Sequence, residues 1–170
     1  MVLDADITAP PAVVWDFLND PTRRGLWMAG TQWSSADRVN GRTGPGARNH
    51  CAHGKNETAI ETVLDWKPFD YVTVKQAPDE KKYITMTQRL IPSADGRSTH
   101  LHFTIQGNMG KLPNFIAKQM LRYFMRSTHF PESVARLAQL VNHQAAGAAP
   151  PAGFTFATAA GGSNFATSIG

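Results

Sequence analysis

Residues 111–142 read KLPNFIAKQMLRYFMRSTHFPESVARLAQLVN, a run without glycine in which apolar residues return at helical spacing. Ala117, Met120, Leu121 and Phe124 form one stripe, and Val134, Leu137, Ala138 and Val141 continue it past Pro131. Recurrence at i, i+3, i+4 and i+7 marks an amphipathic helix with a buried face. Lys118, Arg122 and Arg126 fall four apart on another face, expected in water. Pro131 has no N–H to donate and crowds the preceding turn, which predicts a kink or short break near residues 128–130. An unbroken helix of about 30 residues would run about 45 Å. Alone it cannot bury its stripe, so a broad surface must lie against it.

The upstream chain supplies that surface as short strands. Residues 3–8 alternate Leu3, Ala5 and Ile7 with Asp4, Asp6 and Thr8, a first strand. Thr8-Ala-Pro-Pro ends it and starts a helix whose apolar face is Val13, Val14, Phe17 and Leu18. Asp20-Pro21 repeats the device, with Asp as N-cap and Pro in the first turn, for a second short helix through Trp27. From residue 31 the period changes to two. Candidate strands cover residues 31–38, 47–53, 56–66, 71–76, 83–91 and 98–106, with Asn40-Gly41 a reversal signal. Within residues 56–66, Thr58, Ile60, Thr62, Leu64 and Trp66 are expected on one side. Glu57, Glu61 and Asp65 fall on the other, and Glu61 and Asp65 are expected to be solvated. In the last strand Leu101, Phe103 and Ile105 should face the core and His100, His102 and Thr104 the outside.

A length of 170 residues suits one domain with a real core, and 42% hydrophobic with 18% charged residues is ordinary for a soluble globular chain. No apolar run approaches the ~20 residues of a membrane span, and the start, MVLDAD, has neither a basic n-region nor an apolar h-region. A single cysteine, Cys51, excludes an internal disulfide framework and fits a reducing, cytoplasmic setting. The net charge of +4 resides in residues 111–143, where Lys111, Lys118, Arg122, Arg126 and Arg136 oppose Glu132. Aromatic residues are not interleaved with these charges as nucleic-acid binders require, so a solvated helix face is expected and no nucleic-acid partner. Residues 145–170 lose charge and period to Ala, Gly, Ser and Thr. The expected organisation is a domain at 1–143 and a disordered Ala/Gly-rich tail or linker at 144–170.

The order of elements describes an α+β chain: a curved antiparallel sheet of about seven strands wrapped on a long C-terminal helix, with two short helices after the first strand. The stretches TAPPAVVWDFLNDP (8–21), GRTGPG (41–46) and ETVLDWKPF (61–69) resemble the START-related (SRPBCC) superfamily, nearest its polyketide cyclase/dehydrase-like branch. The resemblance spans about residues 1–143 and implies a helix-grip fold with a deep pocket between sheet and helix. Lipid carriers, hormone receptors, cyclases, cochaperone domains and sensory modules share that fold, so fold alone does not choose among them.

Chemistry is densest at Asn49-His50-Cys51-Ala52-His53. Alternation puts Asn49, Cys51 and His53 on one face and His50 on the other, so one histidine is expected to look toward the cavity, where it would be poised near neutral pH. Cys51 and His53 stand side by side and parallel, a poor geometry for a nucleophile and its base. A zinc site drawn from Cys51, His50, His53, His100 and His102 is not expected, because the two groups should lie on different faces. No metal and no cofactor are expected. Asn56-Glu57-Thr58 is a glycosylation sequon in form only, and residues 41–46 lack the spacing and lysine of a phosphate loop.

The expected site is an apolar cavity of about 300–1,000 Å³. Its floor would be Phe103 and Ile105, its roof Met120 and Phe124, its walls Trp27 and Trp33, with His53 as polar handle and His50 the substitute. The favoured function is binding of a hydrophobic or aromatic small molecule, a lipid included, as a carrier or sensor. A cyclase/dehydrase-type enzyme using a cavity histidine is the alternative. A third reading is a cochaperone-like or regulatory interaction domain with a fused or partner signalling domain.

Overall fold

A computed structural model of the chain describes residues 1–38, 40–53, 57–77, 82–108, 110 and 112–147, with the side chains of His53, Glu57 and Thr58 outside that set. Strand β1 (Val2–Ile7) is followed by helix α1 (Pro11–Asn19), a 3-10 turn (Pro21–Arg23) and helix α2 (Arg24–Trp27). Strands β2 (Thr31–Asp37), β3 (Arg48–His53), β4 (Glu57–Lys67), β5 (Tyr71–Gln76), β6 (Tyr83–Pro92) and β7 (Thr99–Asn108) come next, then helices α3 (Asn114–Ser127) and α4 (Phe130–Ala145). The seven strands form one antiparallel sheet in the order β1-β7-β6-β5-β4-β3-β2. This is the helix-grip α+β architecture that the strand and helix order implies.

Local chemistry explains the elements. Pro11 opens α1 with the φ a helix needs, and Asp20 accepts the Thr22 backbone N–H at 2.8 Å to start the 3-10 turn. Asn40 and Gly41 both take positive φ, 52° and 72°, as the Asn-Gly pair predicts. Two register shifts, between Thr31 and Trp33 in β2 and between Val63 and Asp65 in β4, interrupt the alternation of those strands.

The predicted break at Pro131 is complete: the C-terminal run is two helices. His129 takes the left-handed conformation (φ 52°) between them, and Pro131 sits in the first turn of α4. Thr128 closes α3 by donating its N–H to Phe124 O at 3.0 Å. The two helices then do different work. Val134, Leu137, Leu140 and Val141 of α4 are buried in one core cluster with Ile7, Val14 and Phe17, as α4 packs on β1, α1 and α2, and Phe130 reaches Phe103 of β7. Ser133 Oγ accepts the Ala29 N–H (2.9 Å) and Asn142 Oδ1 the Thr8 N–H (2.6 Å), tying both ends of α4 to the β1–β2 segment. Helix α3 buries only Leu121 and Met125, and its close approaches are to α4 and β7. The inward residues of β3 to β6, among them Cys51, Val63, Val74, Met86 and Gln88, are nevertheless buried. Among the described residues no helix is long and apolar enough to cross a membrane. Residues 148–170, most of the expected tail, lie outside the described set.

Candidate functional site

The interior has an apolar half, under α1 and α4, and a polar corner, under α2. Trp27 donates its Nε1–H to Phe17 O (3.0 Å), which fixes α2 on α1 and turns Arg24 toward the sheet. Arg24 Nη1 and Nη2 meet Glu61 Oε1 and Oε2 at 2.9 and 2.6 Å, a two-pronged ion pair whose side chains are 4% and 1% exposed. Gln76 on β5 donates to Glu61 Oε1 at 2.7 Å, and Asn49 on β3 supplies a further hydrogen bond. The Arg24 guanidinium lies 5.7 Å from the Trp27 ring centre, over its face.

Burial by itself would push the Glu61 carboxyl up. The Arg24 charge, with hydrogen bonds from Arg24, Gln76 and Asn49, overrides it and holds the group below its ordinary 4.5. Burial likewise disfavours the charged Arg24, and the Glu61 carboxylate more than compensates, raising its pKa. Cys51 responds in the opposite sense. Burial pushes its thiol up, Arg24 pulls it partly back and Glu61 adds to the rise. The corner therefore holds an anion, a cation and a protonated thiol at neutral pH, and Cys51 is a poor nucleophile.

Three buried polar atoms have no hydrogen-bond partner among the described residues: Arg24 Nε, Thr31 Oγ1 and Gln88 Oε1. Gln88, 2% exposed, stands on β6 between Val72 and Phe103 in register, a lone polar side chain on an otherwise apolar stretch of the inner face. Leaving such a group unpaired costs about 1–3 kcal/mol, so these atoms are the interior's available anchors.

The expected site residues are only partly brought together. Phe103 and Ile105 are inward and fully buried on β7, but Phe103 meets Phe130 of α4 edge-on at 5.4 Å, so helix already covers that part of the floor. Trp27 is buried beneath the polar corner. Four expectations need correction. Met120 and Phe124 are 48% and 42% exposed, because α3 turns Leu121 and Met125 inward instead. Trp33 pairs with Ala52 beyond the β2 register shift, on the face opposite Cys51, so it does not wall the interior. His50 is also outward, with Nε2 at 2.8 Å from Asp37 Oδ2. Glu61, expected in water, is among the most deeply buried side chains. His53 pairs in register with Thr31 and Glu57, and its side chain lies outside the described set. Sequence reasoning passed over Arg24, Gln76 and Gln88, named Asn49 only as part of the Asn49–His53 cluster, and placed Glu61 in water.

A curved antiparallel sheet closed by a C-terminal helix is the helix-grip architecture of the START-related (SRPBCC) proteins. The chain belongs to the family described as polyketide cyclase/dehydrase and lipid transport, which matches residues 1–142. A solution structure of a Thermobifida fusca protein is similar at a TM-score of 0.64 and 15% identity, covering 84% of this chain and 93% of that one. DynU16, a protein from the dynemicin biosynthetic locus, is similar at 0.57 and 17%, over 83% of this chain and 46% of its own. Ara h 8.0201 is similar at 0.53 and 14%, over 81% of this chain and 96% of its own. At these identities the likeness is one of fold. No curated protein matches the sequence significantly.

Proposed function

We propose that this protein is a carrier or sensor that takes a hydrophobic or aromatic small molecule between the inner face of β3–β7 and helix α3. The observation that carries the reading is Gln88, a buried acceptor with no partner among the described residues, set beside Val72 and Met86 where its other register partner, Phe103, lies under Phe130 of α4. A ligand with an apolar body and one hydroxyl or amide donor would pair with Gln88 Oε1 while burying its rings or chain on the surrounding residues. The expected roof is Leu121 and Met125 of α3 in place of Met120 and Phe124. An acid–base enzyme is less well supported, because Glu61 is held as a carboxylate by Arg24 and Cys51 as a thiol.

The test is a thermal-shift panel with hydroxylated polycyclic aromatics and with long-chain fatty acids and alcohols. A ligand at 100 times its Kd stabilises the folded state by about 2.7 kcal/mol, several degrees for a domain of this size. If neither class moves the midpoint at its solubility limit, the carrier reading falls and the interaction-domain reading leads.

A further inference from the structure

The outer face of the β1–β7 edge carries a second constellation, remote from the interior. Asp4 and His102 are direct register partners, as are Asp6 and His100, so all four side chains emerge on one patch. Asp4 Oδ1 lies 2.6 Å from His102 Nδ1 and 3.2 Å from His100 Nε2, and one donor atom from each of Asp4, His100 and His102 fits within 4.8 Å of the others. The two imidazoles are near-parallel, 28° apart, with centres at 6.4 Å.

We propose that Asp4, His100 and His102 form a surface site for a divalent transition-metal cation of the zinc–nickel–copper class. Two imidazole nitrogens and one carboxylate oxygen are the ligand set such borderline cations prefer over magnesium or calcium. Tetrahedral zinc with bonds of about 2.0–2.1 Å places its ligand atoms about 3.3 Å apart. The His100–Asp4 separation already has that value, and the His102–Asp4 contact reaches it by opening less than about 1 Å. The second nitrogen of each ring is also held. His100 Nδ1 is 2.8 Å from Asp6 Oδ1, and His102 Nε2 is 3.2 Å from Thr104 Oγ1. A carboxylate or hydroxyl behind each imidazole fixes ring orientation, as in established histidine–metal sites. Arg89, the register partner of His102 on β6, is the one cation facing the patch from the neighbouring strand. Its guanidinium is drawn off toward Asp70 (3.5 Å) and the Tyr71 ring (5.1 Å). The ligands are half-exposed, so water completes the coordination. The faces expected from the sequence hold, with His100 and His102 outward and Cys51 inward. The third ligand is Asp4, from the paired edge strand.

Calorimetric titration of the tag-free full chain with Zn²⁺ and with Ni²⁺ tests the site, with melting in EDTA to confirm that each variant folds. One equivalent is expected to bind. His102→Ala and Asp4→Asn should each lower affinity at least tenfold. Asp6→Asn, which removes only the support behind His100, should lower it about tenfold. His143→Gln on α4 should leave it unchanged. Absence of saturable binding overturns the proposal, as does binding that survives both His102→Ala and Asp4→Asn.

Discussion

Arg24 on α2 and Glu61 on β4 share two hydrogen bonds of 2.9 and 2.6 Å in a place where neither side chain reaches water. They are 37 residues apart in sequence, and the pair pins the short helix to the far half of the sheet. Breaking such a pair strands a buried charge, at a cost of about 3–5 kcal/mol.

Arg24→Met and Glu61→Gln should therefore each lower the urea midpoint strongly, and the double variant should lose less than the sum of the two. Single-variant losses below about 1 kcal/mol would show that water or rearrangement rescues the stranded charge. The same pair sets an acid dependence. Glu61 has its folded-state pKa lowered beneath 4.5, so its contribution is fully present above that value and drains away as pH falls through the folded pKa. In Glu61→Gln the stability slope below pH 4.5 should flatten.

That this pair escaped the sequence has a definite cause. Residues 57–66 alternate well, and reading back from Trp66 puts Leu64 and Ile60 inside and Glu61 outside. The register shift between Val63 and Asp65 reverses the phase: Trp66 stays inward against Trp15, at 4.8 Å, while Glu61 and Val63 turn inward and Ile60 and Leu64 turn out. A bulge adds one residue and carries no compositional mark here, so period-two reasoning fails on one side of it. Trp33, expected as a wall for its nearness to the short helix before it, is turned to the outer face by the β2 shift. Strand order, the Asn-Gly turn, the inward set on β7 and the break before Pro131 were legible because each rests on uninterrupted periodicity or on proline and glycine chemistry. A weak signal for the pair did exist: Arg24 follows a capped turn and lies between Trp27 and the apolar face of α1, where a cation needs a buried partner.

The junction between α3 and α4 turns on His129, which takes the left-handed conformation, with Pro131 seated in the first turn of α4. A non-glycine residue in the left-handed region costs about 1 kcal/mol. His129→Gly should therefore be neutral or stabilising by up to about 1 kcal/mol, and His129→Val destabilising, both read from thermal melts. Pro131→Ala should leave the break in place, because proline in a first helical turn is tolerated rather than disruptive. Helical continuity across residues 127–131 in Pro131→Ala, seen by NMR amide contacts, would assign the break to proline alone.

We propose that residues 148–170 are dispensable for folding. Helix α4 ends at Ala145, with the Ala146 and Gly147 N–H groups donating back to Asn142 and Gln144 carbonyls, so the helix closes without them. Truncation after Gly147 should move the melting midpoint by no more than about one or two degrees. A larger fall would mean that these residues pack on the domain.

Gln88 separates a binding role from a structural one. If its buried acceptor has no partner until a ligand arrives, Gln88→Leu should stabilise the free protein, because an apolar side chain of similar volume removes a penalty of about 1–3 kcal/mol. The same change should weaken ligands that donate a hydrogen bond by a similar amount, a roughly five- to hundredfold rise in Kd. Ligands with no donor should bind as well as before or slightly better. Leu121→Trp, on the inward face of α3, should weaken both classes by filling space, whereas Met120→Trp, at an exposed position, should affect neither. A melting midpoint that falls in Gln88→Leu would identify the side chain as a supported member of the core and remove it from the site. Opposite signs, a gain in stability with a selective loss of donor ligands, would place the polar anchor at this position on β6.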